Sequence, residues 1–189
     1  MPRRDPFRVL VSAILSTRTQ DSVTAAAASR LFNHAPDPCK LARLRPAQIS
    51  RLIYPVGFYR TKARLLSHLG RLICSENNGQ VPDTLEELLR LPGVGRKVAN
   101  IVLSQAFGRP AIAVDTHVQR ISNRLGLVCT TRPIETERAL ARILPVAYQA
   151  EWNHLIVALG QTVCRPARPR CQVCPVQQWC KHYERCCLA

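Results

Sequence analysis

Negative charge is scarce in this chain. Only 12 Asp and Glu stand against 27 Lys and Arg in 189 residues, a formal net charge of +15. A folded domain so short of carboxylates usually faces a polyanion, and nucleic acid is the commonest one. A basic surface kept only for solubility is the competing reading. A disordered basic tail is also lacking, because the cations are spread along the chain (Arg3, Arg4, Arg43, Arg45, Arg51, Arg60, Lys62, Arg64, Arg96, Lys97, Arg165, Arg168, Arg170). Long apolar runs are missing too. Phe7–Leu15 is apolar but too short to span a bilayer, and no cleavage-site pattern follows it. The protein is therefore expected to stay inside the cell, where its nine cysteines are not expected to pair as disulfides. No segment alternates convincingly between apolar and polar residues, and there is neither a repeat nor a low-complexity stretch.

What is present reads as helix, so the expected class is all-α. Phe7–Leu15 and Ser22–Phe32 predict two helices joined near Thr17–Gln20. Pro46 sits where a first helical residue often sits, before Ala47–Tyr54. Tyr59–Ser75 carries a stripe of Ala63, Leu65, Leu66, Leu69, Leu72 and Ile73 and stops at Asn77-Asn78-Gly79. Thr84 and Glu87 have capping-box spacing before Leu85–Arg90. Arg96–Phe107, Thr116–Leu125, Ile134–Leu144 and Glu151–Val163 complete the helices. Only Cys164–Cys174, rich in Pro, Arg and Cys, lacks helical signal near the end.

Between two of these helices lies Leu91-Pro92-Gly93-Val94-Gly95-Arg96-Lys97. Glycines at 93 and 95 let the backbone turn tightly and bring its N–H groups to the surface at a helix start. Those amides, with the positive end of the helix dipole, make an anion site. Gly93, Val94, Gly95 and Arg96 are thus candidates to hold phosphate, a contact that grips DNA without reading its sequence. A purely structural turn is the plainer alternative. Lys97 leans back toward the same helix start, where the dipole and partial burial disfavour its ammonium form. A free lysine amine can form a Schiff base. By the motif alone, a lysine that merely touches phosphate is an equal reading.

Asp115 tips that balance. It follows the apolar run Ala111–Val114 and precedes Thr116-His117. A plain helix cap is the bland reading. Yet a helix over Arg96–Phe107 is roughly 18 Å long at ~1.5 Å per residue, and residues 108–114 extended span up to about 25 Å. Asp115 can therefore return to the start of that helix and face Lys97. A carboxylate there suits cleavage of a glycosidic bond, which builds positive charge on the sugar.

Four thiols fall within the spacing Cys164-x6-Cys171-x2-Cys174-x5-Cys180. Such spacing favours a soft metal centre and leaves zinc and iron both open. Cys39, Cys74 and Cys129 fit no ligand pattern and are expected to be small buried hydrophobes; Cys186 and Cys187 also fall outside it.

Together Leu91–Lys97, Val114-Asp115-Thr116-His117, the four-cysteine loop, and Pro6-Phe7 leading to Leu15-Ser16-Thr17-Arg18-Thr19-Gln20-Asp21 resemble the endonuclease III family of the helix-hairpin-helix-GPD superfamily. The resemblance covers nearly the whole chain. It implies two lobes: residues 1–109 as a six-helix barrel with the hairpin at about 84–107, and 110–189 ending in a 4Fe–4S loop at 164–180. It implies a monomeric enzyme that excises oxidised or ring-damaged pyrimidines from double-stranded DNA and nicks the abasic site by β-elimination. Lys97 would be the nucleophile and Asp115 the essential carboxylate. Cys164, Cys171, Cys174 and Cys180 would hold the cluster, with Arg165, Arg168 and Arg170 facing phosphate. Arg18 and Phe58 fall at the family's helix-filling positions, and His117 among its DNA contacts. Position 18 is commonly Gln in that family and is Arg here.

Two rivals stand beside this reading. An adenine-type or mismatch glycosylase would share the hairpin and cluster, but Lys97 and Thr116-His117 argue against the adenine branch. A non-catalytic DNA-binding module leaves Lys97 and Asp115 as coincidences.

Overall fold

Asp5 opens the first helix. Its carboxylate accepts from the Phe7 and Arg8 amides, and Pro6 takes the first helical position, where no N–H is needed. The computed structural model describes residues 5–187, with side chains described as far as 185; Arg3 and Arg4 lie outside that range. The chain divides into two units, Met1–Arg109 and Pro110–Ala189. Among the described residues every regular element is helical.

In the first unit, α1 (Pro6–Ser16), α2 (Asp21–His34), α3 (Pro38–Arg43), α4 (Pro46–Ile53), α5 (Tyr59–Glu76), α6 (Leu85–Arg90) and α7 (Arg96–Gln105) follow one another. Helix α1 packs against α2, α5 and α7, while α5 lies on α3 and α4. Leu10, Leu15, Leu31, Ile49, Leu66 and Ile73 are fully buried among them. Each such side chain contributes about 1.5–3 kcal/mol by leaving water. The expected stripe of α5 is inward at Ala63, Leu66, Leu69 and Ile73, with Leu65 and Leu72 half-buried.

Several expectations change here. Helix α3 carries no readable periodicity at six residues. Thr84 does cap α6 by accepting from the Glu87 amide at 3.3 Å. The capping box is only half formed, because its hydroxyl donates to the Glu87 carboxylate at 2.6 Å. Cys39 and Cys74 are not two isolated thiols but a disulfide between α3 and α5. Gly70 explains the approach: a Cβ there would lie 2.9 Å from the Ala42 nitrogen and 3.1 Å from the Pro38 oxygen. The two helices thus touch backbone to backbone, with the cysteine Cα atoms 5.1 Å apart.

The second unit holds α8 (Thr116–Leu125), α9 (Pro133–Ile143), α10 (Val146–Thr162) and α11 (Lys181–Cys187), with short 3-10 turns at Cys171–Val173 and Gln177–Trp179. Its core is Ile112, Val114, Val118, Ile121, Val128, Leu140 and Ile156. Helix α10 begins five residues earlier than its pattern suggested, directly after Pro145. Cys129 is exposed, against the expectation of burial. Among the described residues no helix is long and apolar enough to cross a membrane.

Candidate active site

In the first unit the hairpin is α6, the turn at 91–95, and α7. Leu91 and Val94 are buried and anchor the turn. Gly93 takes a φ of +77°, and Leu65 of α5 packs beneath it; a side chain would be strained there. Gly95 is glycine for a different reason. Its φ of −95° suits any residue, but a Cβ added to it would meet nothing within 4 Å. The space beside Gly95 at the start of α7 is therefore open, and the N-cap gives no side-chain hydrogen bond. This open helix start, with Arg96 and Lys97 half-buried on its first turn, suits an anion. One detail differs from expectation. The Val94 amide closes the turn onto the Leu91 oxygen at 3.2 Å, so it is already engaged within the hairpin.

Arg18 and Phe58 also belong to this unit, forty residues apart in sequence, and the structure brings them together. The Arg18 guanidinium lies over the Phe58 ring at 5.6 Å from its centroid, a cation–π contact. Phe58 is the N-cap of α5 and is 62% exposed. A Phe this exposed is not core.

In the second unit, α8 is started by Asp115. Its Oδ1 accepts from the His117 and Val118 amides, both at 2.9 Å. The cap uses one carboxylate oxygen, so capping does not consume the group. The apolar run before it does the positioning. Ile112 and Val114 are in the core, and Asn153 of α10 donates to the Ala113 oxygen at 2.8 Å. His117 is half-buried, and its Nδ1 stands 3.2 Å from the Arg120 guanidinium. Gly160 of α10 leaves room for that ring, since a Cβ there would lie 2.3 Å from Nδ1.

The four predicted ligand cysteines converge on one hollow whose wall also includes Ile121, Leu125 and Leu159. All four are half-buried, and none is in a disulfide. The turns between them are closed by backbone bonds, Cys174 N to Cys171 O at 3.1 Å and Cys180 N to Gln177 O at 3.1 Å. Arg124 of α8 was missed from the sequence, where it reads as one more surface cation. It holds the loop by donating to the Arg165 oxygen at 2.8 Å and the Pro166 oxygen at 2.6 Å, and it reaches the Cys164 sulfur at 3.4 Å. Soft donors around an apolar hollow, beside a guanidinium, fit an anionic iron–sulfur centre. Among the described residues no three His, Cys, Asp or Glu side chains converge closely enough for a single metal ion. Arg165, Arg168 and Arg170 project from the loop, exposed.

Known proteins resemble this chain along most of its length. The model of the HhH-GPD superfamily of base excision DNA repair proteins matches residues 11–146. The chain is 48% identical to endonuclease III of Thermotoga maritima over 181 residues, which is 96% of this chain and 85% of that protein. It is 42% identical to the chloroplastic endonuclease III homolog 2 of Arabidopsis thaliana, covering 95% of this chain and 49% of that protein. Among solved structures, a trapped covalent intermediate of endonuclease III with DNA gives a TM-score of 0.89 at 35% identity, over 98% of this chain and 87% of that one. The chain belongs to the endonuclease III family of the HhH-GPD superfamily of base excision DNA repair proteins.

Proposed function

We propose that this DNA glycosylase and AP lyase of base excision repair excises oxidised or ring-damaged pyrimidines from duplex DNA, with Lys97 as its nucleophile. The observation that carries the reading is the open start of α7, where bare backbone at Gly95 adjoins a half-buried lysine on the first turn. Phosphate is held by that helix start and by Arg96, with Arg165, Arg168 and Arg170 adding contacts from the cysteine loop. DNA binding of this kind accords with the relatives solved as endonuclease III–DNA complexes. The protein acts as a monomer inside the cell.

The chemistry follows from the amine. Lys97 Nζ attacks C1′ of the damaged nucleotide; the glycosidic bond breaks, and the base leaves with its electron pair and takes up a proton. The sugar ring opens to a Schiff base between Nζ and C1′. Loss of a proton from C2′ then expels the 3′ phosphate, and water releases the lysine. The Asp115 carboxylate stabilises the positive charge that grows on the sugar as the base departs. Arg18 and Phe58 fill the gap left when the damaged base leaves the stack, which costs a few kcal/mol.

Cys164, Cys171, Cys174 and Cys180 would hold a 4Fe–4S cluster. Bound there, it would cross-link the loop between α10 and α11 and contribute folding energy. The polypeptide's own part is Arg124, whose guanidinium ties the loop's carbonyls to α8.

Borohydride trapping on duplex DNA with an abasic site tests the assignment. The parent protein is expected to give a covalent adduct whose modified peptide contains residue 97. Lys97→Gln is expected to give no adduct, to lose both base excision and nicking, and to bind abasic DNA within a few-fold of the parent. An adduct formed by Lys97→Gln would place the nucleophile on another amine.

A further inference from the structure

The chain contains a second unusual lysine. Lys62 reads in the sequence as one of the scattered surface cations, yet it is buried, only 5% exposed. Its ammonium donates to the Leu15 oxygen at 2.8 Å, the Thr17 oxygen at 2.6 Å and the Thr19 hydroxyl at 3.3 Å. Three donors meet three acceptors, so the amine is fully committed and is no rival nucleophile. Burial pushes its pKa down to about 8. The oxygens at the end of α1, where the helix dipole is negative, favour the charged form in return.

What that ammonium holds is the ground on which Arg18 and Phe58 stand. Among the described residues only three non-glycine positions have positive φ: Arg18 at 53°, Phe58 at 56° and Asn78 at 50°. Asn tolerates this conformation, whereas in a long or aromatic side chain it is unfavourable and must be imposed by its surroundings. The two strained residues are the two that touch. Gly57 fits beneath them because it has no Cβ; one would lie 2.5 Å from the Arg18 oxygen. The Gly57 amide donates to the Thr19 hydroxyl at 3.1 Å, the same hydroxyl that receives Lys62. One side chain on α5 thus joins the turn after α1 to the turn before α5.

We propose that Lys62 is a positioning residue of the DNA-intercalating wedge: its buried ammonium, with Thr19 and Gly57, clamps two turns together and imposes the backbone that presents Arg18 and Phe58 as one two-part unit. The inference rests on the reading of those two residues as the gap-filling pair. It predicts that loss of Lys62 harms the step in which a paired base leaves the stack, and spares the chemistry on a sugar that already lacks its base.

The test compares single-turnover excision on a duplex with thymine glycol opposite adenine against nicking of a preformed abasic site in the same sequence. Phe58→Ala is expected to lower the ratio of the two rates at least tenfold; an unchanged ratio overturns the wedge itself, whatever Lys62 does. Lys62→Met is expected to lower the same ratio at least tenfold in the parent and less than twofold in an Arg18→Ala, Phe58→Ala background. If Phe58→Ala lowers the ratio but Lys62→Met slows both substrates equally, or costs as much in the double-variant background, Lys62 only stabilises the fold and the proposal is overturned. If Lys62→Met does not fold, Thr19→Val, which removes the shared hydroxyl and leaves the lysine, decides the matter. A ratio lowered several-fold supports the clamp, and an unchanged ratio rejects it.

Discussion

Helix α7 starts at Gly95 with no side-chain cap, whereas α8 starts under the Asp115 carboxylate, whose Oδ1 takes two of its amides. The same backbone feature is left open in one unit and closed in the other. In the proposed reading the start of α7 serves an anion from outside, with a half-buried lysine beside it for the sugar of the same nucleotide. A helix start already occupied by a carboxylate repels phosphate but fixes a negative charge in one orientation. The cysteines divide the same way. In the first unit two of them are joined across α3 and α5, and in the second four remain as thiols around a hollow. Helix starts and cysteines have no fixed use; what surrounds them decides.

Exchanging the Asp115 carboxylate breaks the comparison most severely. Asp115→Asn keeps an oxygen for the His117 and Val118 amides, and Asn caps nearly as well as Asp. The melting temperature is expected to stay within a few degrees while single-turnover excision falls about 10³-fold, some 4 kcal/mol of lost charge stabilisation. An unfolded Asp115→Asn protein would leave the residue as a cap alone.

Next comes the thiol set of the second unit. Cys171→Ser is expected to lower bound iron and the brown absorbance of the purified protein, and to open residues 164–180 to protease, before it changes Lys97 chemistry. Stoichiometric zinc without iron or sulfide in anaerobically prepared parent protein would reject the cluster.

A smaller effect is expected from the paired thiols of the first unit. Cys39→Ser with Cys74→Ser frees a loop spanning 35 residues. It is expected to cost about 3–4 kcal/mol by loop-closure entropy, read by denaturant unfolding. Trapping on abasic DNA is expected to persist under conditions where the variant is folded. A midpoint equal to that of the parent would show that the bond adds nothing to stability.

The finest change makes one helix start resemble the other. Gly95→Asp meets no steric obstacle, since its φ is ordinary and its Cβ position is open. It is expected to leave stability unchanged or raise it by a few tenths of a kcal/mol, while weakening binding to undamaged duplex about tenfold through charge placed against phosphate. Unchanged affinity across a salt series would remove the start of α7 from the phosphate contacts.

Much of this was legible in the residues. Helices α6 and α8 have the bounds their caps predict, Thr84 before one and Asp115 before the other. These boundaries are local, set by a side-chain oxygen reaching an amide two or three residues on. Helix α7 ends at Gln105 rather than Phe107, because Gly108 at φ +65° turns the chain and the Arg109 amide bonds back to the Leu103 oxygen. Helix α3 was invisible since six residues are too few to show a period. The short turns at Cys171–Val173 and Gln177–Trp179 were hidden in a stretch read only for its thiols.

By itself, then, the sequence determined the all-α class and the capped helix starts, and it singled out Lys97, Asp115 and the four cysteines as candidates. All of these depend on residues close in the chain. The tertiary structure alone decided that Cys39 meets Cys74, that Cys129 faces solvent, that Arg124 grips the cysteine loop, and that Lys62 is an internal clamp. A lysine in an amphipathic helix carries no mark of burial. What buries Lys62 is the end of α1, whose oxygens lie forty-five and forty-seven residues away in sequence, and only the packing of α1 on α5 supplies them.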